Sequence, residues 1–337
     1  MNRVGKNYKK SSLLFLNRLP SRLPKKLFRA MISRRNIRVK VMQLLYSIET
    51  ANGNLPEKND PVKTLRKQFE RSQQLLVYLL DFITSVARYS ETDARQRASK
   101  NLVTNDDLNV NTKIAGNEQL WKMWENASFK EATAKASTVT DEEEWVRKVY
   151  LSLVETDEYK EYIAEQGRQR ESEIEILKFI FMGLMLSNDD YVNFLQESFT
   201  NFDDDVDLMV QLVISYIQKP GSFSLTEDIS PDKWIYAKEL FQTVIDKKEY
   251  LSEIIKPKLN NWDAERIATI DMILLWMGVA ELLYFETIPP KVTINEYIDI
   301  AKEYSTQQSG QFVNGILDGI HKDLLANNKI QKKDFRK

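Results

Sequence analysis

Cysteine is absent from the 337 residues, and histidine occurs once, at His321. Disulfides, thiolate ligands and cysteine nucleophiles are thereby excluded. A single imidazole also removes ordinary zinc sites and most His-based triads. Glycine and proline are scarce, at 10 and 9 residues, so points where a helix must break are few. No apolar run is long: the uncharged stretch 272–280 falls far short of the roughly 20 residues a membrane span needs. No strand pattern of useful length occurs, so the chain reads as soluble, globular and all-α. Acidic residues are missing from one place, the first 48 residues, which hold 13 Lys or Arg and no Asp or Glu. The remaining chain carries 35 basic against 49 acidic residues, a net charge of -14. A basic arm on an acidic body suits a polyanionic partner for the arm.

What is present is helical periodicity. "SRRNIRVKVMQLLYSIE" places Ile37, Val41, Leu44, Leu45 and Ile48 on one stripe, with Ser33 as N-cap. "ANGNLPEKNDP" then breaks the chain, and a long amphipathic helix follows from about 62 to 98, burying Leu75, Leu76, Leu79, Leu80, Ile83 and Val86. The acidic runs "DEEE" and "FDDDVD" suit helix N-termini. Tyr159, Tyr191 and Tyr250 lie in similar short segments, which unequal spacing marks as coincidence of amphipathic helices rather than as repeats. In the C-terminal third, Thr293–Glu296 and Ser305–Gln308 each have capping-box spacing. These signals divide the chain into a basic extension (1–30), N-terminal helices (31–100), an acidic helical insertion (101–230), a C-terminal bundle (231–327) and a basic tail (328–337). Residues 1–30 read as an untranslated or disordered extension, with a transit peptide as the rival.

Motifs for catalysis fail individually. "GQFVNG" has the glycine spacing of a phosphate loop, but Ile316 and Leu317 stand where Lys and Ser/Thr are needed, and the run lies within a helix. "DDDVDL" lacks the glycine and distal glutamate of a calcium loop. Neither catalytic residues, nor a metal, nor a cofactor is indicated. Binding is better supported. Arg34, Arg35 and Arg38 share the opening turns of a helix, with Lys40 further round, and guanidinium groups suit phosphates and exposed bases. Gly315 lies inside a helix, where glycine costs about 1 kcal/mol relative to alanine. Either something approaches that backbone closely or another helix crosses it.

The opening helix resembles that of the NusB family of transcription antitermination factors. Residues 261–320, with "PPKVTINE", "IDIAKEYS" and above all "SGQFVNGILD", are similar to that family's C-terminal half. The resemblance implies a fold of two packed helical sub-bundles. It also implies binding of single-stranded boxA RNA from ribosomal RNA transcripts, jointly with the ribosomal protein NusE, within an RNA polymerase antitermination complex in the cytoplasm. The free protein would be a monomer or homodimer. Carried over by position, the RNA face comprises Arg34, Arg35, Arg38, Gln308, Ser309, Gln311, Phe312 and Asn314, with Phe312 stacking on or packing beneath a base. The NusE face includes Tyr46 and Asp271. Each also has a structural reading: Phe312 as core, Asn314 as a cap or helix bridge. The junction "TQQSGQ" lacks the acidic residues and the Lys of many relatives. A non-catalytic interaction scaffold using the acidic insertion is the alternative. RNA cytosine methyltransferases with a NusB-like domain are set aside, because they need a nucleophilic cysteine.

Overall fold

The computed structural model describes residues 32–51, 60–136, 139–259, 267–330 and 332. The basic extension, most of the "ANGNLPEKNDP" break and the end of the basic tail lie outside them. The described residues form helices and no strand. In chain order these are α1 (Arg34–Thr50), α2 (Pro61–Ala98), α3 (Asn105–Leu108), α4 (Glu118–Glu125), α5 (Ala127–Lys135), α6 (Glu142–Glu155) and α7 (Asp157–Ala164). There follow α8 (Arg170–Phe179), α9 (Asp189–Ser198), α10 (Phe202–Gln218), α11 (Pro231–Ile255), α12 (Thr269–Tyr284), α13 (Pro290–Tyr304) and α14 (Ser309–Ala326).

Contacts group the chain into two compact units. One comprises Ile32–Phe69 with Ile229–Lys337; the other contains Glu70–Asp228. The division between these units falls within α2, between Phe69 and Glu70.

In the first unit, α1 starts on a capping box. Ser33 Oγ accepts from Asn36 N at 3.2 Å, and Asn36 Oδ1 accepts from Ser33 N at 3.1 Å. Ile37, Val41, Leu44 and Leu45 are buried, as their spacing predicts. Helix α11 begins with Pro231 at its first turn and is interrupted at Lys247, whose φ of -117° and ψ of 16° leave the helical region. Helix α12 is apolar all round and buried almost all round. Gly278 lets it pack closely, since a Cβ there would lie 2.8 Å from Leu317 and 3.4 Å from Tyr297.

Both C-terminal capping boxes are corrected. Helix α13 starts at Pro290, so Thr293 and Glu296 lie within it, and their side chains turn to a buried ion pair described below. Helix α14 starts at Ser309 after Gln308, whose side chain makes no capping bond.

In the other unit, the α2 residues Leu75, Leu76, Leu79, Leu80, Ile83 and Val86 are fully buried. Glu142–Glu144 and Asp203–Asp205 occupy the first turns of α6 and α10, where carboxylates offset the helix dipole. Buried Glu173 accepts from Tyr162 Oη at 2.8 Å, Glu118 N at 2.6 Å and Arg168 Nη1 at 3.1 Å. Tyr159 and Tyr191 are buried, whereas Tyr250 is exposed, so the three tyrosines are not equivalent.

Candidate nucleic-acid interface

The opening turn of α1 and the α13–α14 junction meet in one unit. Arg35 Nη2 pairs with Glu303 Oε2 at 2.7 Å, and Glu303 is two residues before the junction begins. Both side chains remain partly exposed, so the pair is weak enough to exchange for a phosphate. Arg34 is exposed, its guanidinium carbon 5.5 Å from the centroid of the Tyr236 ring. Gln308, Gln311 and Asn314 are exposed on the junction and the first turns of α14.

Arg38 is a correction. It follows Arg34 by one helical turn, but this turn of α1 is covered, and its side chain is 2% exposed. Its Nε and Nη2 donate to Glu281 at 2.7 and 3.1 Å, and Nη1 donates to Glu296 at 3.1 Å. Glu281, at 0% exposure, also accepts from Tyr297 Oη at 2.9 Å, Thr293 Oγ1 at 3.0 Å and the Tyr236 hydroxyl. Arg38 therefore ties α1 to α12 and α13 and faces no solvent ligand. Burial opposes its charge while the Glu281 carboxylate holds it, and the balance leaves its pKa raised. The same burial, with Glu281 beside them, pushes the Tyr236 and Tyr297 hydroxyls well above 10.

Three further expectations change. Ser309 is buried, and its Oγ donates to Asp271 Oδ2 at 2.7 Å while accepting from Thr306 N at 3.1 Å. It shapes the junction and does not present its hydroxyl outward. Asp271 is likewise buried as the acceptor of that bond, not displayed on a partner face. Phe312 is 4% exposed, which leaves packing beneath the junction, one of its expected roles, and removes face-on stacking on a base. Tyr46, by contrast, is 40% exposed on the outer side of α1.

The glycines separate. A Cβ on Gly310 would lie 2.7 Å from Lys302 Cγ and 3.2 Å from its Cε, so the missing side chain makes room for the lysine stem along the junction. Lys302 is 61% exposed and brings from α13 the cation that the junction itself lacks. Sequence reasoning missed it; its place in the last turn before Ser305 was the available signal. Gly315 meets nothing within 4 Å among the described residues, so none of their helices crosses it, and its backbone is open beside Gln311 and Asn314.

No group of three His, Asp or Glu residues able to hold a metal occurs among the described residues. His321 is half-buried, and burial lowers its pKa below the usual value. What the surface offers is three exposed or partly exposed cations, Arg34 on the Tyr236 ring, Arg35 paired with Glu303 and Lys302 paired with Asp299 at 3.5 Å, together with amide side chains and uncovered helix backbone. Cations and amides of this kind suit a polyanion with hydrogen-bonding edges.

The described residues thus define an all-helical protein with a cation-bearing surface. The NusB family model matches residues 200–322. The transcription antitermination protein NusB of Salinibacter ruber is 45% identical over 105 residues, covering 31% of this chain and 66% of that protein. Its namesake in Methylacidiphilum infernorum is 48% identical over 80 residues, covering 24% and 56%. That of Thermodesulfovibrio yellowstonii is 39% identical over 107 residues, covering 32% and 71%. A solved structure of T. maritima NusB shares 29% identity, covering 36% of this chain and 82% of that one, with a TM-score of 0.28. The chain belongs to the NusB family. Among the described residues no helix is long and apolar enough to cross a membrane.

Proposed function

We propose that the protein is a cytoplasmic, non-catalytic transcription antitermination factor. In this reading it binds single-stranded boxA RNA of ribosomal RNA transcripts together with NusE, within an RNA polymerase complex. The observation that carries the reading is the Arg35–Glu303 pair, which joins the arginine turn to the junction bearing Lys302, Gln308 and Gln311. Arg34, Arg35 and Lys302 contact phosphates, Gln308, Gln311 and Asn314 meet base edges or ribose, and the ribose-phosphate passes over Gly315. Phe312 and Ser309 support this surface from beneath. Tyr46 lies on the NusE face, while Asp271 acts only through Ser309. With about three phosphate contacts, each worth about -0.7 in the log–log salt slope for a single strand, affinity falls about 20-fold between 50 and 200 mM salt. So small a site binds weakly alone, and NusE lengthens the RNA track.

The test is a fluorescence titration with boxA RNA, with and without NusE, at both salt concentrations. A NusE-dependent gain and the stated salt loss are expected. Absent or salt-independent binding in both conditions would instead support the scaffold reading. One observation favours that alternative: residues 70–228 hold 30 acidic against 16 basic residues and expose Leu102, Leu108 and Trp121.

A further inference from the structure

A second cationic strip lies in the same unit, on the first turns of α11 and α2. Lys233 donates from Nζ to the Ile32 carbonyl, immediately before Arg34 and its neighbours. The next residue, Trp234, is half-buried, with Phe69 edge-on at 6.4 Å and the Arg66 guanidinium carbon 5.0 Å from a ring centroid. Arg34 lies over Tyr236, two residues further along α11. The first turns of α11 thus hold Arg34 on one ring and Arg66 on another. Lys63 and Lys67 are exposed within one turn of Arg66 on α2. Of the nearby acids, Asp60 accepts from the backbone N of Val62 at 3.0 Å and Asp232 accepts from Ser230 Oγ at 2.8 Å, both at the starts of their own helices, while Glu70 is exposed one turn after Arg66 on α2, leaving three cations on that stretch against one carboxylate.

We infer that this strip, formed by Lys63, Arg66, Lys67, Lys233 and Trp234, is an extension of the RNA track that holds nucleotides flanking the segment bound at Arg34 and the junction. The inference rests on the RNA-binding reading above. Its argument is charge complementarity together with continuity through Arg34. Cations spaced along a surface follow a phosphate backbone, and guanidinium planes held on aromatic rings offer stacking surfaces to bases without demanding a sequence. Hydrogen-bonding edges are sparse here, so the strip adds length and affinity rather than sequence preference.

The experiment compares three RNAs in titrations with the full chain, with NusE omitted. One is a minimal boxA oligonucleotide; the others carry six additional nucleotides at the 5′ or the 3′ end. One of the two extensions is expected to steepen the salt slope. Lys63→Gln with Lys67→Gln should cost the extended RNA about two contacts, or a slope change of about 1.4, and leave the minimal RNA unaffected. That is about a 7-fold smaller loss between 50 and 200 mM salt than the unaltered protein shows with the same extended RNA. Arg66→Gln should weaken extended RNA alone, and thermal melts by circular dichroism verify folding of each variant. Equal slopes for all three RNAs overturn the strip while leaving the proposed function standing. Failure of every RNA to bind, with NusE added back as well as omitted, overturns both. Binding of an extended RNA but not of the minimal one leaves the strip and removes the junction site. Displacement of extended RNA by poly-glutamate as effectively as by unlabelled RNA overturns the assignment to nucleic acid.

Discussion

Arg34 and Arg38 stand one helical turn apart and have opposite fates. Arg34 reaches solvent over Tyr236, while Arg38 ends between two carboxylates in the core. Removing one member of a buried ion pair leaves the other charge uncompensated, at a cost of about 3–5 kcal/mol. Arg38→Ala should therefore lower the urea midpoint sharply, and any loss of RNA binding should follow the loss of folded protein. Arg34→Ala should leave the urea midpoint within about 0.5 kcal/mol of the parent, as surface substitutions do, and reduce the salt slope by about 0.7. A slope unchanged by Arg34→Ala removes this residue from the phosphate contacts. Local spacing could not distinguish the two arginines. Their difference depends on Glu281, which is 243 residues beyond Arg38.

At the level of helices, the three informative glycines give three expected outcomes. Gly315→Ala fills open space in a helix interior and should stabilise the protein by up to about 1 kcal/mol. If ribose-phosphate passes over that backbone, the same substitution weakens RNA binding; unchanged affinity in a titration would place the RNA elsewhere. Gly278→Ala forces a methyl against Leu317 in a packed crossing and should destabilise by about 1–3 kcal/mol, read as a fall in urea midpoint. Gly310→Ala displaces the Lys302 stem and is expected to alter binding more than stability. Much at this scale was legible in the sequence. The α1 stripe, the Ser33 cap, the long α2 and the acidic first turns of α6 and α10 are all set by residues within a few positions of one another. The capping box at 293 misled because Thr293 bonds Glu281 of another helix, and the one at 305 because Ser309 takes the local bonds instead, accepting from Thr306 N and hydrogen-bonding Ser305 Oγ. For Lys302 the sequence offered only its place in the last turn before Ser305, because the lie of its stem depends on the side chain that Gly310 lacks.

At the scale of the molecule, eight tyrosines among the described residues resist ionisation. Burial raises Tyr78, Tyr150, Tyr162, Tyr191, Tyr236 and Tyr297, and brings Tyr159 and Tyr216 up to about 12. A hydroxyl whose folded pKa lies above its unfolded value near 10 leaves the folded state holding more protons at high pH. Stability is then fully present below pH 10 and lost as pH rises through the folded values. Lys332 acts oppositely. Burial lowers it from 10.5 to about 8 although it donates to the Glu281 and Phe285 carbonyls, so stability rises with pH from about 8 to 10.5. Lys332 alone acts between pH 8 and 10 and eight tyrosines act above it, which predicts a urea midpoint that rises modestly from about pH 8 to 10 and falls steeply at higher pH; a flat profile to pH 12 would contradict the burial described. The Arg38–Glu281 pair also has a temporal consequence. At about 5–20 residues per second, a ribosome needs roughly 12 to 50 s to translate the 243 positions between the two. Throughout that interval the nascent α1 has its guanidinium made and its carboxylate unmade. The segment 70–228 emerges complete within the same window, so the later-sealed unit is the one whose first helix was synthesised earliest.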